Sequence, residues 1–274
     1  LARVCQLEKS LANILNAIYS ENRSTPRKVL CYWTELSPEV MYQCWAAMRL
    51  NLEEDAVLMG DWETASQGTG IEAEWVRETL EVEVGQLRQE AEDGCRGWVR
   101  FADVVRPTWG QIEQDLETHR PDILLFDYLQ RVRPEKGEDR FAAIARTAMG
   151  FQTLAVKSAC ACVVASQLKR KRDGVLDKYR SPHLEDMRGA GEIEEAADVV
   201  LGLFRVLRAD FDRKAEERVR AGEIALSDYA VDNLMALRVL KHRYRGPAAD
   251  RMLRLHVDGK RILDWRIQSS TWRT

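Results

Sequence analysis

Long apolar runs are missing from this chain. The longest are strand-sized, whereas a membrane-spanning helix needs about 20 consecutive apolar residues, so no transmembrane span is read. No signal peptide is read at the start either, and the expected location is the cytoplasm. Cysteine is sparse: residues 5, 31, 44, 95, 160 and 162 are scattered, and most sit in apolar runs. Cys160 and Cys162 are one residue apart, but no second Cys/His pair completes a zinc site, so the default is buried free thiols in a reducing compartment. A dominant charge is lacking as well. With 41 Lys+Arg against 44 Asp+Glu the net charge is −3, so any nucleic-acid contact has to come from local basic patches rather than a global field. Internal repeats and low-complexity segments are absent. A starting Met is absent too, since the chain opens on Leu1, as a fragment would.

What is present is enough for a sizeable core. At 274 residues, 45% hydrophobic and 31% charged, the chain suits one large α/β domain or two small ones. The organising stretch is Arg120–Gln130, RPDILLFDYLQ. Its apolar run, Ile123–Phe126, does not alternate, which predicts a strand buried on both faces, as in a parallel sheet. It ends in Asp127, where such a strand leaves the core. Ligands of open α/β sheets sit beyond the carboxyl ends of the strands, and a carboxylate there is the hard oxygen donor that nucleotide-bound magnesium takes. The plain alternative is that Asp127 is a turn or helix cap.

Other stretches repeat this grammar. Lys28–Trp33 reads as a second buried strand, followed by Thr34-Glu35-Leu36-Ser37. Ser37 is a candidate N-cap, Pro38 suits the first helical turn, and residues 38–50 form an amphipathic helix. Glu35 is then a strand-end carboxylate, either capping and solvated or a general base for water. Residues 51–96 are charged and partly helical, with Gly68 and Gly70 marking a loop. Residues 98–104 suit a strand, and 108–119 a helix capped by Thr108.

A loop with Arg131, Arg133 and Lys136 precedes a helix over about 138–159. Cys160–Ser166 reads as another buried strand ending in Gln167, and Lys169, Arg170, Lys171 and Arg172 follow. This basic loop is either a solvated surface loop or a phosphate-backbone contact. Gly189 and Gly191 make a flexible turn beside Arg188. A short helix (192–197), a strand (198–204), a charged insertion (about 206–233) and a strand (234–240) come next. The last part, 252–265, alternates around Asp258-Gly259, a hairpin signal. Near the start, residues 7–20 have helical apolar spacing and open on Lys9-Ser10. A phosphate-binding loop would read G-x-x-x-x-G-K-[ST] there, but its glycine positions hold Arg3 and Glu8. By themselves Lys9 and Ser10 are an ordinary solvated turn.

Taken in order, VLCYWTELS (29–37), PDILLFDYLQ (121–130), VVASQL (163–168), EDMRGAGEIEEAADVVL (185–201) and KHRYRGP (241–247) resemble the motor domain of the DnaB-type replicative helicases. The resemblance implies a RecA-like P-loop NTPase fold: a mostly parallel central sheet flanked by helices, with a C-terminal antiparallel hairpin, formed by residues 1–274 as a single domain. It implies an ATP-dependent DNA helicase with ATP and Mg²⁺ as cofactors. Glu35 polarises the attacking water in this reading, Asp127 and Ser10 hold magnesium, and Lys9 and Ser10 meet the phosphates. Gln167 senses the γ-phosphate, while Lys241 and Arg243 act in trans on a neighbour's nucleotide. Arg188, Gly189, Gly191, Lys169 and Arg170 contact single-stranded DNA. The partners implied are single-stranded DNA, further copies in a hexameric ring, and a helicase loader or primase.

The sequence departs from the family in three ways: the loop glycines, Gly189 where an acidic residue is usual, and no counterpart of the N-terminal helical domain or linker helix. Two other readings stay open. One is a degenerate RecA-like module that binds DNA or assembles without turnover. The other is a different RecA-like ATPase, such as a recombinase or clock-type ATPase.

Overall fold

The computed structural model describes residues 27–94, 97–169, 181–187, 190–207, 211–244, 252–258 and 261–264. The helix expected over 7–20, with Lys9 and Ser10, and also Arg170, Arg188, Gly189 and the Arg245–Pro247 end of the basic segment lie outside the described residues. The chain separates into two compact units, divided between Gln167 and Leu168.

In the first unit, β1 (Lys28–Trp33), β2 (Trp98–Phe101), β3 (Ile123–Asp127) and β4 (Ala161–Val164) form one parallel sheet in the order β2-β1-β3-β4. Helices α1 (Pro38–Arg49), α2 (Glu54–Met59), α3 (Trp62–Ser66) and α4 (Ala73–Asp93) lead from β1 to β2. Helix α5 (Trp109–His119) leads to β3 and α6 (Arg140–Ser158) to β4. The starts are set locally. Ser37 caps α1 with Pro38 in its first turn, Thr108 and Gln111 make a capping box on α5, and Asp139 accepts from Phe141 N at 2.7 Å and Ala142 N at 2.9 Å on α6. Gly68 and Gly70, placed in a loop from the sequence, both have positive φ, 72° and 78°.

The non-alternating strands are explained by packing on both sheet faces. From β1, Val29, Cys31 and Trp33 join a core with Trp45, Met48, Leu52, Val76, Leu80 and Leu87 of the α1–α4 segment. Tyr32, from the opposite face, stacks on Phe126 at 5.5 Å; Phe126 meets Phe151 of α6 at 5.2 Å, and Phe151 meets Trp109 of α5 at 5.3 Å. The Tyr32 hydroxyl donates to Asp115 of α5, so the one polar atom of this buried ring is satisfied. Burial, followed by Asp115, pushes the Tyr32 phenol well above its usual range.

Strand β4 differs from expectation. The run Cys160–Ser166 predicts burial on both faces, but β4 is the outer strand of this sheet and Val163 is 40% exposed. Among the described residues no strand bonds to its outer edge. Composition marks a strand as apolar without saying whether it has neighbours on both sides.

In the second unit, β5 (Val199–Leu207), β6 (Ala230–His242), β7 (Met252–Asp258) and β8 (Arg261–Asp264) form an antiparallel sheet in chain order. The hairpin expected around Asp258-Gly259 is β7–β8, with Asp258 opposite Arg261. The strand–helix alternation predicts one sheet; instead β5 and β6 join the hairpin. Periodicity identifies strands, but the choice of partner is non-local. The expected insertion is shorter than its charge suggests, since β5 runs to Leu207 and β6 begins at Ala230. Between them, α8 (Arg213–Arg220) carries Arg213–Glu217 and Arg220–Glu216 pairs one turn apart. Helix α7 (Ala190–Ala196) precedes β5. Among the described residues no helix is long and apolar enough to cross a membrane.

The tightness of this packing sets the cost of two substitutions. A Cβ on Gly150 would fall inside the Trp109 ring, whereas one on Gly110 meets nothing within 4 Å. Gly150→Ala is expected to cost about 1–3 kcal/mol and Gly110→Ala to cost nothing, read from denaturation midpoints. His119 Nδ1 lies 2.8 Å from an Arg100 guanidinium nitrogen. Arginine has only donors, so Nδ1 accepts and the ring must be neutral. Burial, with Arg100 adding, lowers the His119 pKa below its ordinary 6.5. The unfolded chain therefore takes up this proton first, and stability falls as pH drops through about 6.5. His119→Gln is expected to remove that part of the slope in denaturation series from pH 7.5 to 5.5.

Candidate active site

The carboxyl ends of β1 and β3 lie side by side, with Trp33 opposite Asp127. One residue further, Thr34 fastens them. Its N–H donates to the Asp127 carbonyl at 3.1 Å and its hydroxyl to the same oxygen at 2.7 Å. Thr34 is fully buried. Beyond this clasp the two chains turn outward. Glu35 becomes exposed, while Asp127 stays 8% exposed at the strand tip. Two carboxylates predicted from separate stretches are thus neighbours at one end of one sheet. The peptide between Asp127 and Tyr128 is cis.

Residues after Asp127 tie the tips together. Tyr128 is half-buried, and burial, followed by the nearby Glu35 charge, raises its phenol above the usual range. A short 3-10 turn, Leu129–Arg131, follows. The Arg131 guanidinium donates to the Thr34 carbonyl at 3.0 Å, and Arg140, at the start of α6, donates to the Gln130 carbonyl at 3.3 Å. The Gln130 side chain, on a residue 2% exposed, reaches across to the end of β4. It donates to Ser166 Oγ at 2.9 Å and accepts from the Gln167 N–H at 3.1 Å. Gln167 is exposed, with its backbone anchored to the β3 tip. The outer loop is held from α6: Arg146 binds both oxygens of Glu138 at 2.8 Å and Glu135 at 3.2 Å. That bidentate pairing brings the Glu138 carboxyl down to about 2.

Asp127 suits magnesium by donor type: a hard oxygen on a rigid strand, of which Mg²⁺ needs one or two, with water and phosphate completing its shell. Among the described residues no cluster of three or more acidic, His or Cys side chains forms an all-protein metal cage. Cys160 and Cys162 likewise belong to no such cluster.

In the second unit, Lys169 pairs through its N–H with the Asp186 carbonyl at 2.6 Å, and its ammonium donates to the Glu185 carbonyl at 2.8 Å. Lys169 therefore lies along the start of the EDMRGAGE segment. Gly191, in the first turn of α7, has open space where a Cβ would go. At the other end of α7, Lys241 donates to the Glu194 carbonyl and Arg243 to the Glu195 carbonyl at 2.5 Å. Arg243 also pairs with Asp198 at 2.8 Å. Cations there complement the unsatisfied carbonyls and negative end of a helix.

The residues missed from sequence are Gln130 and Arg140. Gln130 stood in the quoted DYLQ stretch, but its partners lie at the end of another strand. Arg140 gave no signal beyond its charge at a helix start.

A family model, DnaB-like helicase C-terminal domain, matches residues 104–260, more than half of the chain. The match takes in Asp127, Gln167, Lys241 and Arg243 and leaves out Lys9, Ser10 and Glu35. A probable plasmid replicative DNA helicase of Chlamydia muridarum is 37% identical over 86 residues, 31% of this chain and 19% of that protein. The replicative DNA helicase DnaB of Rickettsia felis is 34% identical over 88 residues, 32% of this chain and 17% of its own length. The aligned part thus spans about a fifth of these relatives. Among solved structures, a DnaB-like replicative helicase studied for its interactions with primase superposes with a TM-score of 0.60 at 17% identity, covering 88% of this chain and 51% of that one. A second solved structure, an isolated ATPase domain, gives 0.59 at 17% identity, covering 88% of this chain and 75% of that one. These structural likenesses concern the fold.

Gln130→Leu removes the bridge between the tips and leaves the Gln167 N–H and Ser166 hydroxyl without it. It is expected to cost about 1–3 kcal/mol in denaturant unfolding, with faster hydrogen exchange at the Gln167 amide.

Proposed function

The chain belongs to the DnaB-like helicase C-terminal domain family, and we propose that it is the ATP-driven motor of a replicative DNA helicase, translocating on single-stranded DNA and unwinding duplex. The observation that carries this reading is the pairing of Glu35 and Asp127 at adjoining strand ends, with Gln167 tied to the same platform through Gln130. Asp127 holds Mg²⁺, which supplies charge neutralisation on the phosphates when nucleotide is bound. Glu35 orients the attacking water and accepts its proton. An exposed carboxylate on a fixed strand end can do this without unfolding anything. Gln167 reads the γ-phosphate and relays its state through Gln130 to the β3 tip. Lys9 and Ser10 meet the phosphates, and Ser10 shares the metal.

Lys241 and Arg243 stabilise charge on a neighbouring copy's nucleotide. They are bound to α7 in this chain, so acting in trans means exchanging those carbonyls, and for Arg243 the Asp198 carboxylate, for phosphate oxygens. Arg188, Gly189, Gly191, Lys169 and Arg170 hold the DNA backbone, a sequence-independent and salt-sensitive contact. The partners in this reading are single-stranded DNA, further copies of the chain in a hexameric ring, and a primase or loader, all in the cytoplasm. A structural relative studied with primase supports the primase assignment.

A second reading has its own observation. Arg3 and Glu8 stand where phosphate-loop glycines belong, and a carboxylate at Glu8 repels phosphate. This favours a non-hydrolysing DNA-binding or assembly module.

Glu35→Gln separates the two. The motor reading expects turnover of Mg²⁺-ATP to fall about a hundredfold or more in single-turnover assays, with nucleotide binding by calorimetry retained. Unchanged turnover rejects the role of Glu35. Salt-dependent binding to single-stranded DNA with no response to ATP selects the module.

A further inference from the structure

We propose that Cys160 and Cys162 form a reversible oxidation site, a pair of thiols that a peroxide converts into a disulfide within one strand, at the start of β4. The inference rests on no part of the motor reading above and goes beyond it.

The strand supplies the geometry. Residues two apart on a strand point to the same face, and burial follows that period here. Cys160 is buried and Cys162 and Val164 are half-buried, while Ala161 and Val163 between them are exposed. Both thiols also lean over the same piece of backbone. Cys160 donates to the Ala161 carbonyl at 3.9 Å, and Cys162 donates back to the Cys160 carbonyl at 3.9 Å. Those carbonyls belong to the two peptides that separate the cysteines, so each sulfur is turned toward the other residue. Two residues of a strand advance about 6.6 Å, and disulfides span Cα separations of about 4.4–6.8 Å. The pair sits at the long end of that range, so closing the bond takes a local contraction and no refolding.

Access and consequence follow from the place in the sheet. β4 is the outer strand of the parallel sheet, and Cys162 is half-buried there, whereas Cys160 is 2% exposed. A small oxidant therefore reaches the pair from the Cys162 side. One sulfur takes an oxygen from the peroxide, the O–O bond breaks, and a first water leaves. The second sulfur then displaces that oxygen from the sulfenic acid, the S–S bond forms, and a second water leaves. Two thiols are oxidised, one hydrogen peroxide is reduced, and both thiol protons end in water. Ala161 lies inside the ring so formed. Its N–H donates to the Asp122 carbonyl at 2.9 Å, beside its pairing with Ile123, where β4 begins to pair with β3. Contraction pulls on this bond, so oxidation loosens β4 at its first residue. Strained disulfides are the readily reduced ones, which makes the change reversible by thiols.

The test uses the full chain, treated with hydrogen peroxide at neutral pH, then unfolded, alkylated with N-ethylmaleimide and digested with trypsin. Cleavage after Lys157 and Lys169 gives a peptide, 158–169, that holds Cys160 and Cys162 and no other cysteine. This peptide is expected to lose two hydrogens and take up no maleimide, and to recover both thiols after dithiothreitol. Hydrogen exchange at the Ala161 amide is expected to quicken about tenfold in the oxidised chain and to return on reduction. Cys160→Ala, which keeps the more exposed thiol, is expected to stop at a sulfenic acid that dimedone traps. The proposal is overturned if both cysteines still take up maleimide after peroxide, if the wild-type peptide gains oxygen instead of losing hydrogen, or if exchange at Ala161 is unchanged. The wild-type chain carries these readouts, so the outcome does not depend on how the variant folds, and ATP turnover does not enter it.

Discussion

One carbonyl oxygen, that of Asp127, accepts both the N–H and the hydroxyl of Thr34, and this pair of hydrogen bonds between the tips of β1 and β3 sets where the chain beyond it emerges. The two strands cannot slide against each other. Each is apolar on both faces, and a shift of one residue would exchange the aromatic contacts of Tyr32 and Phe126 for those of the opposite layer. With the register locked, the clasp fixes where Glu35 and Tyr128 emerge. The 3-10 turn that follows fixes Gln130, and Gln130 fixes the backbone of Gln167. A chain of polar contacts thus runs across three strand ends while the apolar layers below it hold still.

The charges at this end are arranged by the same logic. Arg131 and Arg140 donate to the Thr34 and Gln130 carbonyls beside the strand tips, and Arg146 holds Glu138 and Glu135 in the outer loop. In the second unit the cations at and just after the end of β6 are held by a helix end. Lys241 and Arg243 rest on carbonyls at the end of a short helix, and Arg243 is also paired with the Asp198 carboxylate.

Much of the first unit was legible in the sequence because the determinants are local. β1, β3 and the starts of α1, α5 and α6 follow from doubly apolar runs, a proline in a first turn and hydroxyl or carboxylate caps, each confined to a few residues. The edge position of β4 and the antiparallel company of β5 and β6 were not legible, since a strand's neighbours are chosen by chain far away in sequence. Likewise Asp127 and Glu35 could be singled out as strand-end carboxylates. Gln130 and Arg140 could not, because their meaning lies in what they touch.

By itself the sequence determined the family, the ordered strands and helices of the parallel layer, the terminal hairpin and a short roster of candidate charged residues. These follow from composition, periodicity and motifs read along the chain. Only the tertiary structure decided that Glu35 and Asp127 are neighbours, that Gln130 bridges two strand tips and that Lys241 and Arg243 rest on α7. Each of those contacts joins residues brought together by strand register or by packing across a sheet. Register is a property of two segments at once, and neither segment carries it alone.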